Sequence, residues 1–592
     1  MRLFAGSCIL TLLCAHTAVA QGFGQLATNR DGSILYFSSP LRIKGTDQYF
    51  HPKIFTWDST NGIRLYEQRT SDVPFPISNF GFIGTHFFSL VAPDVSSDGS
   101  TVAVTGIQFC NFSDVCVFDI EEYQSTIYRA GQPPITSSGS ATLSRNGRYA
   151  LLRSSINRVV LPPQMQLMDL ETGQQTQYEG GLPGASAQPG ATHQVANDGT
   201  VVLGGISISL GQSGQLRTII PSTSTAAHPL INDAGTLVIY QAGSGQVSEP
   251  IRLSAYSVPT GSSTDLVTDT ADSPGFAASI SDDGAQVAFL YGQNRQVYLI
   301  RSDGTGLRQI TNFSEAVTEV ALSGDGSVAF AVTAANRIVR IDVASAQPTD
   351  IVPPTPYTNV DRIQVSRGSV TVVAGSGFAA DIEDAQPPFP LALGGVELHV
   401  GGLAVPIAGA SPKSISYPAP WDLPDSPVDV EVSVSSAEAS PFIPGFEVEP
   451  SAPPGFYLVS QPGSPFMLIA VHQDYASLIS PANPAQAGEV IHVYAKDLGP
   501  VNPAPPAGLP APLSPLSLLT RPMSCILQAD PNPGDPVDVL FAGLAPELLN
   551  VFQVDVRLPV SFRASLSALR CQVGDPALGY FIGGFLAVMG PS

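Results

Sequence analysis

At 592 residues the chain is longer than one hydrophobic core ordinarily serves, so several domains or a long repeat array are expected. Only 13% of residues are charged, against 55 glycines and 53 prolines, which excludes long salt-bridged helices and favours short strands joined by tight turns. The formal net charge of −22 repels phosphate backbones and anionic lipid, so nucleic acid is excluded as a partner class.

Residues 1–20 read as a signal peptide: one arginine, an apolar run, then Ala18, Val19 and Ala20 in the small-x-small pattern that precedes cleavage before Gln21. Leu13 before Cys14 is too bulky for a lipoprotein signal, so a soluble exported protein is expected, extracellular, cell-surface or periplasmic. No later window offers the ~20 apolar residues of a transmembrane segment.

From residue 21 to 355 one phrase recurs. SISDDGAQVAFLYG (Ser279 to Gly292) aligns with NRDGSILYF, SSDGSTVAV, SRNGRYALL, ANDGTVVLG, NDAGTLVIY and SGDGSVAFA. The seven glycines are Gly32, Gly99, Gly147, Gly199, Gly235, Gly284 and Gly326, spaced by 67, 48, 52, 36, 49 and 42 residues. A period of ~40 to 50 residues suits a four-stranded propeller blade. Asp or Asn before Gly accommodates positive φ, and the apolar run that follows suits a strand packed on both faces. Such a sheet cannot bury both faces alone, so seven copies stacked about an axis are expected.

These phrases, with YLIRSDGTGLRQIT and IFTWDSTNGIRLYE as third and fourth strands, resemble the TolB-like, PD40-type β-propeller family over roughly Gly24 to Val352. The resemblance implies a binding scaffold, a partner-docking module or an occasional enzyme.

Near IVPPTPYTNVDR the repeat stops and proline density rises, marking a linker. Short alternating strands then predict an Ig-like β-sandwich over 356–450 and a second β-sandwich over 451–592. The expected fold class is therefore all-β: a seven-bladed β-propeller followed by two Ig-like β-sandwich domains. SLISPANPAQAGEVIHVYAKDLGPV and VLFAGLAPELLNVFQVDVRLPV resemble the C-terminal domain of unknown function carried by exported proteins of Solibacter-type acidobacteria. That resemblance, over about Gly368 to Met589, implies an exported, modular protein.

No GxSxG, HExxH, CxxC, Walker or GxGxxG signature is present, so a non-enzymatic protein is favoured and no cofactor or metal is assigned. A single Asp per turn offers too few oxygens for calcium. His193 and His228 each stand four residues before an Asn-Asp pair, which places them on the innermost strands of adjacent blades. They are candidates for an anionic ligand or a transition ion; the bland reading is two strand-start histidines bonded to backbone. Phe80, Phe82, Phe87 and Phe88, in the insertion behind the 67-residue spacing, are candidates for a sugar or peptide platform, against a satellite core.

The leading expectation is an exported, monomeric binding or scaffold protein for a protein, peptide or glycan. The alternative is a propeller lyase or hydrolase acting on polysaccharide at the central channel. Two disulfides, Cys110–Cys116 and Cys525–Cys571, follow most simply from an even cysteine count with two in each half.

Overall fold

The computed structural model describes residues 22–589 except 49, 69–73, 77–82, 112–120, 154–164, 179–192, 205–206, 222–224, 244–249, 270–275, 361, 425, 438, 450–453, 460–465, 529–533, 562–565 and 575–579. Side chains are likewise described outside 69–91, 107–122, 222–228 and 575–582. Among the described residues every regular element is a strand, save a 3-10 turn at Ser435–Ala437. The chain divides into two units, Met1–Asn359 with Ala437–Pro444, and Val360–Ser436 with Gly445–Ser592.

The first unit is a seven-bladed β-propeller. Its seven antiparallel sheets follow one another along the chain, six with four strands and the second with five. The innermost strands are Gly24–Thr28, Ile83–Val95, Ser140–Leu143, His193–Val195, Thr225–Ile231, Ala278–Ile280 and Val317–Leu322. Each of the seven repeat glycines lies in the turn that follows one of them, with φ between +64° and +84°. Those are left-handed values that a side chain resists, which explains the recurrence of Gly. The preceding acid fixes the turn. Asp31 Oδ1 accepts from the Ser33 N–H at 3.0 Å and its hydroxyl at 2.6 Å, and Asp325 receives Ser327 in the same way, at 2.9 and 2.7 Å.

The long first spacing is absorbed by blade 2. Its first hairpin is lengthened to Ile83–Val95 and Thr101–Asn111, and a fifth strand, Pro74–Pro76, pairs with Ile83–Val95.

Blades bury their second strands against their neighbours, so apolar clusters alternate around the ring. Between blades 7 and 1 the cluster includes Phe23, Phe37, Phe55, Phe330 and Val352, together with Phe442 from the returning segment Ala437–Pro444. The Phe442 ring lies 5.1 Å from Phe23 and 5.2 Å from Phe55, and Phe442–Ile443 pairs with Arg42–Ile43. Among the described residues no strand is exchanged between blades 7 and 1. The ring is closed there by this apolar seam and by hydrogen bonds described below.

The second unit contains two cores. In one, Val370–Ser376 and Ser414–Pro418 face a sheet containing Val396–Val400, Val428–Val434 and Gly445–Glu449, over Val373, Leu398, Tyr417, Val432 and Phe446. In the other a twelve-stranded sheet encloses Ile491, Val493, Val554, Val556 and Leu569. Strand Leu566–Val573 alternates buried and less buried residues along its length, the period-2 signature of a one-faced strand. Cys525 and Cys571 stand opposite each other on neighbouring strands and are disulfide-bonded, as the even cysteine count with two in each half predicts.

Candidate functional site

The propeller encloses a cavity of about 690 Å3 with residues of all seven innermost strands in its wall. Two positions relative to the turn glycine build this channel. Five residues before the glycine in blades 2, 4 and 6, a polar side chain reaches forward to the next blade. Asp94 Oδ2 accepts the Leu143 N–H at 2.8 Å, Gln194 Oε1 that of Ile231 at 3.0 Å, and Ser279 Oγ that of Leu322 at 2.9 Å. The inner edge of a blade has no further strand to pair with, so these side chains satisfy its free N–H groups. Glu319 does the same work at the closure, accepting the N–H groups of Gln25 at 2.7 Å and Leu26 at 2.5 Å across blades 7 and 1. Burial raises the pKa of both Asp94 and Glu319.

Two residues before the glycine stand Arg30, Ser97, Arg145, Asn197, Asp233, Asp282 and Gly324. Their backbones form a ring at one end of the channel. N–H groups of Arg30, Ser97, Asn197, Asp233 and Asp282 donate to the carbonyls of Ser97, Arg145, Asp233, Asp282 and Gly324 respectively. The gap between blades 3 and 4 is filled by the Asn146 N–H donating to Asn197 Oδ1 at 2.8 Å, and the ring closes through Asp325 N–H to Arg30 O at 2.8 Å.

The side chains of this ring carry its charge. Arg145 Nε donates to Asp282 Oδ1 at 2.7 Å, and its Nη1 donates to the carbonyls of Val95 at 3.0 Å and Thr28 at 3.2 Å. Asp282 Oδ2 accepts from Ser97 Oγ at 2.5 Å, so both of its oxygens are engaged. Gly324 makes room for this carboxylate: a Cβ there would lie 2.2 Å from Asp282 Oδ2. Asp233 is different. Its Oδ1 is buried and has no hydrogen-bond donor, and burial, with the Asp282 charge second, pushes its pKa up to about 6.

His193 begins the innermost strand of blade 4 and lines the same cavity. It is 4% exposed, and neither ring nitrogen has a hydrogen-bonding partner. Burial and the nearby Arg153 charge lower its pKa to about 3, with the Ser140 backbone close enough to oppose this slightly but outside hydrogen-bond geometry. The expectation of a ring bonded to backbone is therefore corrected: the bonded group is its carbonyl, which accepts from Thr142 Oγ1 at 3.3 Å.

His228 lies on the innermost strand of blade 5, in a bulge between Ala227 and Leu230, with its side chain outside the described residues. Phe87 and Phe88 sit on Ile83–Val95 opposite Phe109 and Gln108, and Cys110 sits opposite His86; these side chains are also outside the described residues. Phe80, Phe82 and Cys116 fall outside them entirely, as does the segment 1–20.

No family model matches the chain, and no curated protein matches it. Among solved structures the chain is similar to the putative TolB of Agrobacterium tumefaciens at 16% identity, over 37% of this chain and 84% of that one, with a TM-score of 0.27. It is similar to TolB of Acinetobacter baumannii at 15% identity, over 46% of this chain and 62% of that one, with a TM-score of 0.29. An oligogalacturonate lyase of Vibrio parahaemolyticus is similar at 13% identity, over 52% and 82%, with a TM-score of 0.29. Nothing about this chain's chemistry follows from likenesses at that level. The propeller assignment rests on the seven sheets themselves.

Proposed function

We propose that the chain is an exported, monomeric, non-enzymatic binding or scaffold protein whose propeller engages a protein, peptide or glycan at its channel. In this reading residues 1–20 are a signal peptide and 21–355 the ligand-binding propeller. The Ig-like segment 356–450 and the Solibacter-type segment 451–592 serve as spacer or cell-surface module. The observation that carries the binding reading is how the channel's polar groups are used. Asp94, Gln194, Ser279 and Glu319 cap the inner edge of the neighbouring blade, and Asp282 is held by Arg145 and Ser97. Groups committed in this way hold a rigid, shaped cavity and are not free to move protons. His193, with a pKa near 3, is too weak a base to serve at neutral pH.

Export is supported by the Cys525–Cys571 disulfide, since such bonds persist in oxidising compartments. Among the described residues no helix is long and apolar enough to cross a membrane.

One observation favours a second reading, a polysaccharide lyase or hydrolase at the channel: Asp233 has a pKa near 6 and an unengaged oxygen, the properties of a general acid or base. A binding and turnover screen of the exported protein against plant and bacterial polysaccharides and peptides separates the two. Ligand recovered unchanged supports the binding protein; product formation that is lost in Asp233→Asn establishes the enzyme.

A further inference from the structure

The turn-side end of the channel is already built around a cation. The Arg145 guanidinium sits in the cavity wall, donating to the Asp282 carboxylate and to the Thr28 and Val95 carbonyls. Those carbonyls belong to the fourth residue before each turn glycine, a position that recurs once per blade around the channel. Carboxylates outnumber basic groups in the wall: Asp94, Asp233, Asp282 and Glu319 against Arg145 and Arg295. Of these carboxylates, Asp233 keeps a buried oxygen with no donor.

Resting on the reading of the channel as a ligand site, we infer that this end takes a cationic N–H group of the ligand, an ammonium or guanidinium, with Asp233 as its counter-ion. A ligand N–H meets the Asp233 carboxylate where it lines the cavity, and a positive charge there offsets the repulsion between Asp233 and Asp282. His193, nine-tenths buried and unpartnered in the same cavity, is neutral and does not repel a cation.

The groups acting on Asp233 are Asp282, Arg145, Arg30 and Asn197. Burial and Asp282 outweigh the attraction of the two arginines and of the nearby Asn197 side chain, which is why the carboxyl holds its proton up to about pH 6. A bound cation reverses that balance. Binding at pH 6 therefore expels roughly half a proton per ligand, and affinity rises from pH 5 to pH 7.

The test is titration calorimetry of the full chain in buffers of differing ionisation enthalpy. The probes are arginine amide, an end-blocked peptide containing one arginine, citrulline amide acetylated on its α-amino group so that it carries no charge, and a panel of neutral and acidic oligosaccharides. The inference expects arginine amide or the arginine peptide to bind at least tenfold more tightly than citrulline amide, with proton release at pH 6. Preference for the free amide or for the peptide distinguishes a small cationic ligand from a basic side chain of a partner. In Asp233→Asn, checked for native circular dichroism, both the preference and the proton release disappear.

Equal binding of arginine and citrulline amides, binding without proton release, or no binding of either guanidinium probe at millimolar concentration overturns the inference. An oligosaccharide that binds in that last case leaves the channel reading standing; a panel with no binder removes the reading as well.

Discussion

Arg145 of blade 3 and Asp282 of blade 6 meet across the propeller channel, Nε to Oδ1 at 2.7 Å, although 137 residues separate them in sequence. The Asp282 side chain is 5% exposed and that of Arg145 25%. Removing the guanidinium strands a buried carboxylate, whereas removing both groups leaves no charge unpaired and strands only neutral partners, the Ser97 hydroxyl and the Thr28 and Val95 carbonyls. Arg145→Met is expected to lower stability by about 2–4 kcal/mol in urea unfolding, and Arg145→Met with Asp282→Leu to recover most of that loss. A double variant as unstable as the sum of the singles would show that the pair is not coupled.

Gly324 is the smallest member of the turn ring because the Asp282 carboxylate occupies the space its Cβ would need. Gly324→Ala is expected to cost about 1–3 kcal/mol by overpacking and to loosen the closure between blades 6 and 7, read as faster amide exchange at Asp282. A stability within ~0.5 kcal/mol of wild type would contradict the crowding seen there.

His193 and Asp233 make opposite contributions to the pH dependence of stability. The folded pKa of His193, about 3, lies below its ordinary 6.5, so the unfolded chain binds that proton first and stability is lost as pH falls below about 6.5. His193→Gln should therefore gain on wild type progressively between pH 6.5 and 3, by at most about 1.4 kcal/mol per pH unit. Asp233 is raised from 3.8 to about 6, so the folded chain binds its proton more tightly and gains stability as pH falls from 6 towards 4. Asp233→Asn should be favoured over wild type by about 1 kcal/mol at pH 7, discounted for its partial exposure, and by nothing near pH 4. Parallel pH profiles for either variant and wild type would refute its assigned titration.

The Cys525–Cys571 bridge closes a long loop, with a sequence separation of 46. Cys525→Ala with Cys571→Ala is expected to cost about 2–4 kcal/mol, chiefly through a less restricted unfolded chain. Non-reducing peptide mapping should recover Cys525 linked to Cys571, and Cys110 linked to Cys116 if the first-half pairing is correct. A Cys110 peptide linked to a tail cysteine would reject both pairings.

The blade count was legible because the turn glycines carry local information: positive φ and an Asp or Asn within two residues before the glycine recur wherever a blade begins. The Cys525–Cys571 pair was legible from an even cysteine count with two in each half. The ring and the capping positions lay at constant offsets in the same repeats, yet Asp94, Gln194 and Ser279 perform one task with three side-chain types, so matching by identity misses them. His193 could be assigned to an inner strand, but its lack of a partner depends on the packing of adjacent blades. Arg145 with Asp282, and Phe442 returning to the first unit, join residues far apart in the chain and leave no local signal.

The central claim, that the propeller engages its ligand at the channel, is tested most directly by hydrogen exchange with the tightest ligand from the polysaccharide and peptide panel. The account predicts slowed exchange on the innermost strands and the turn ring, at amides such as Leu143, Ile231, Asp233 and Leu322, with the outermost strands and residues 451–592 unchanged. Protection confined to the outer strands or to the second unit, with those inner amides unaffected, would contradict it.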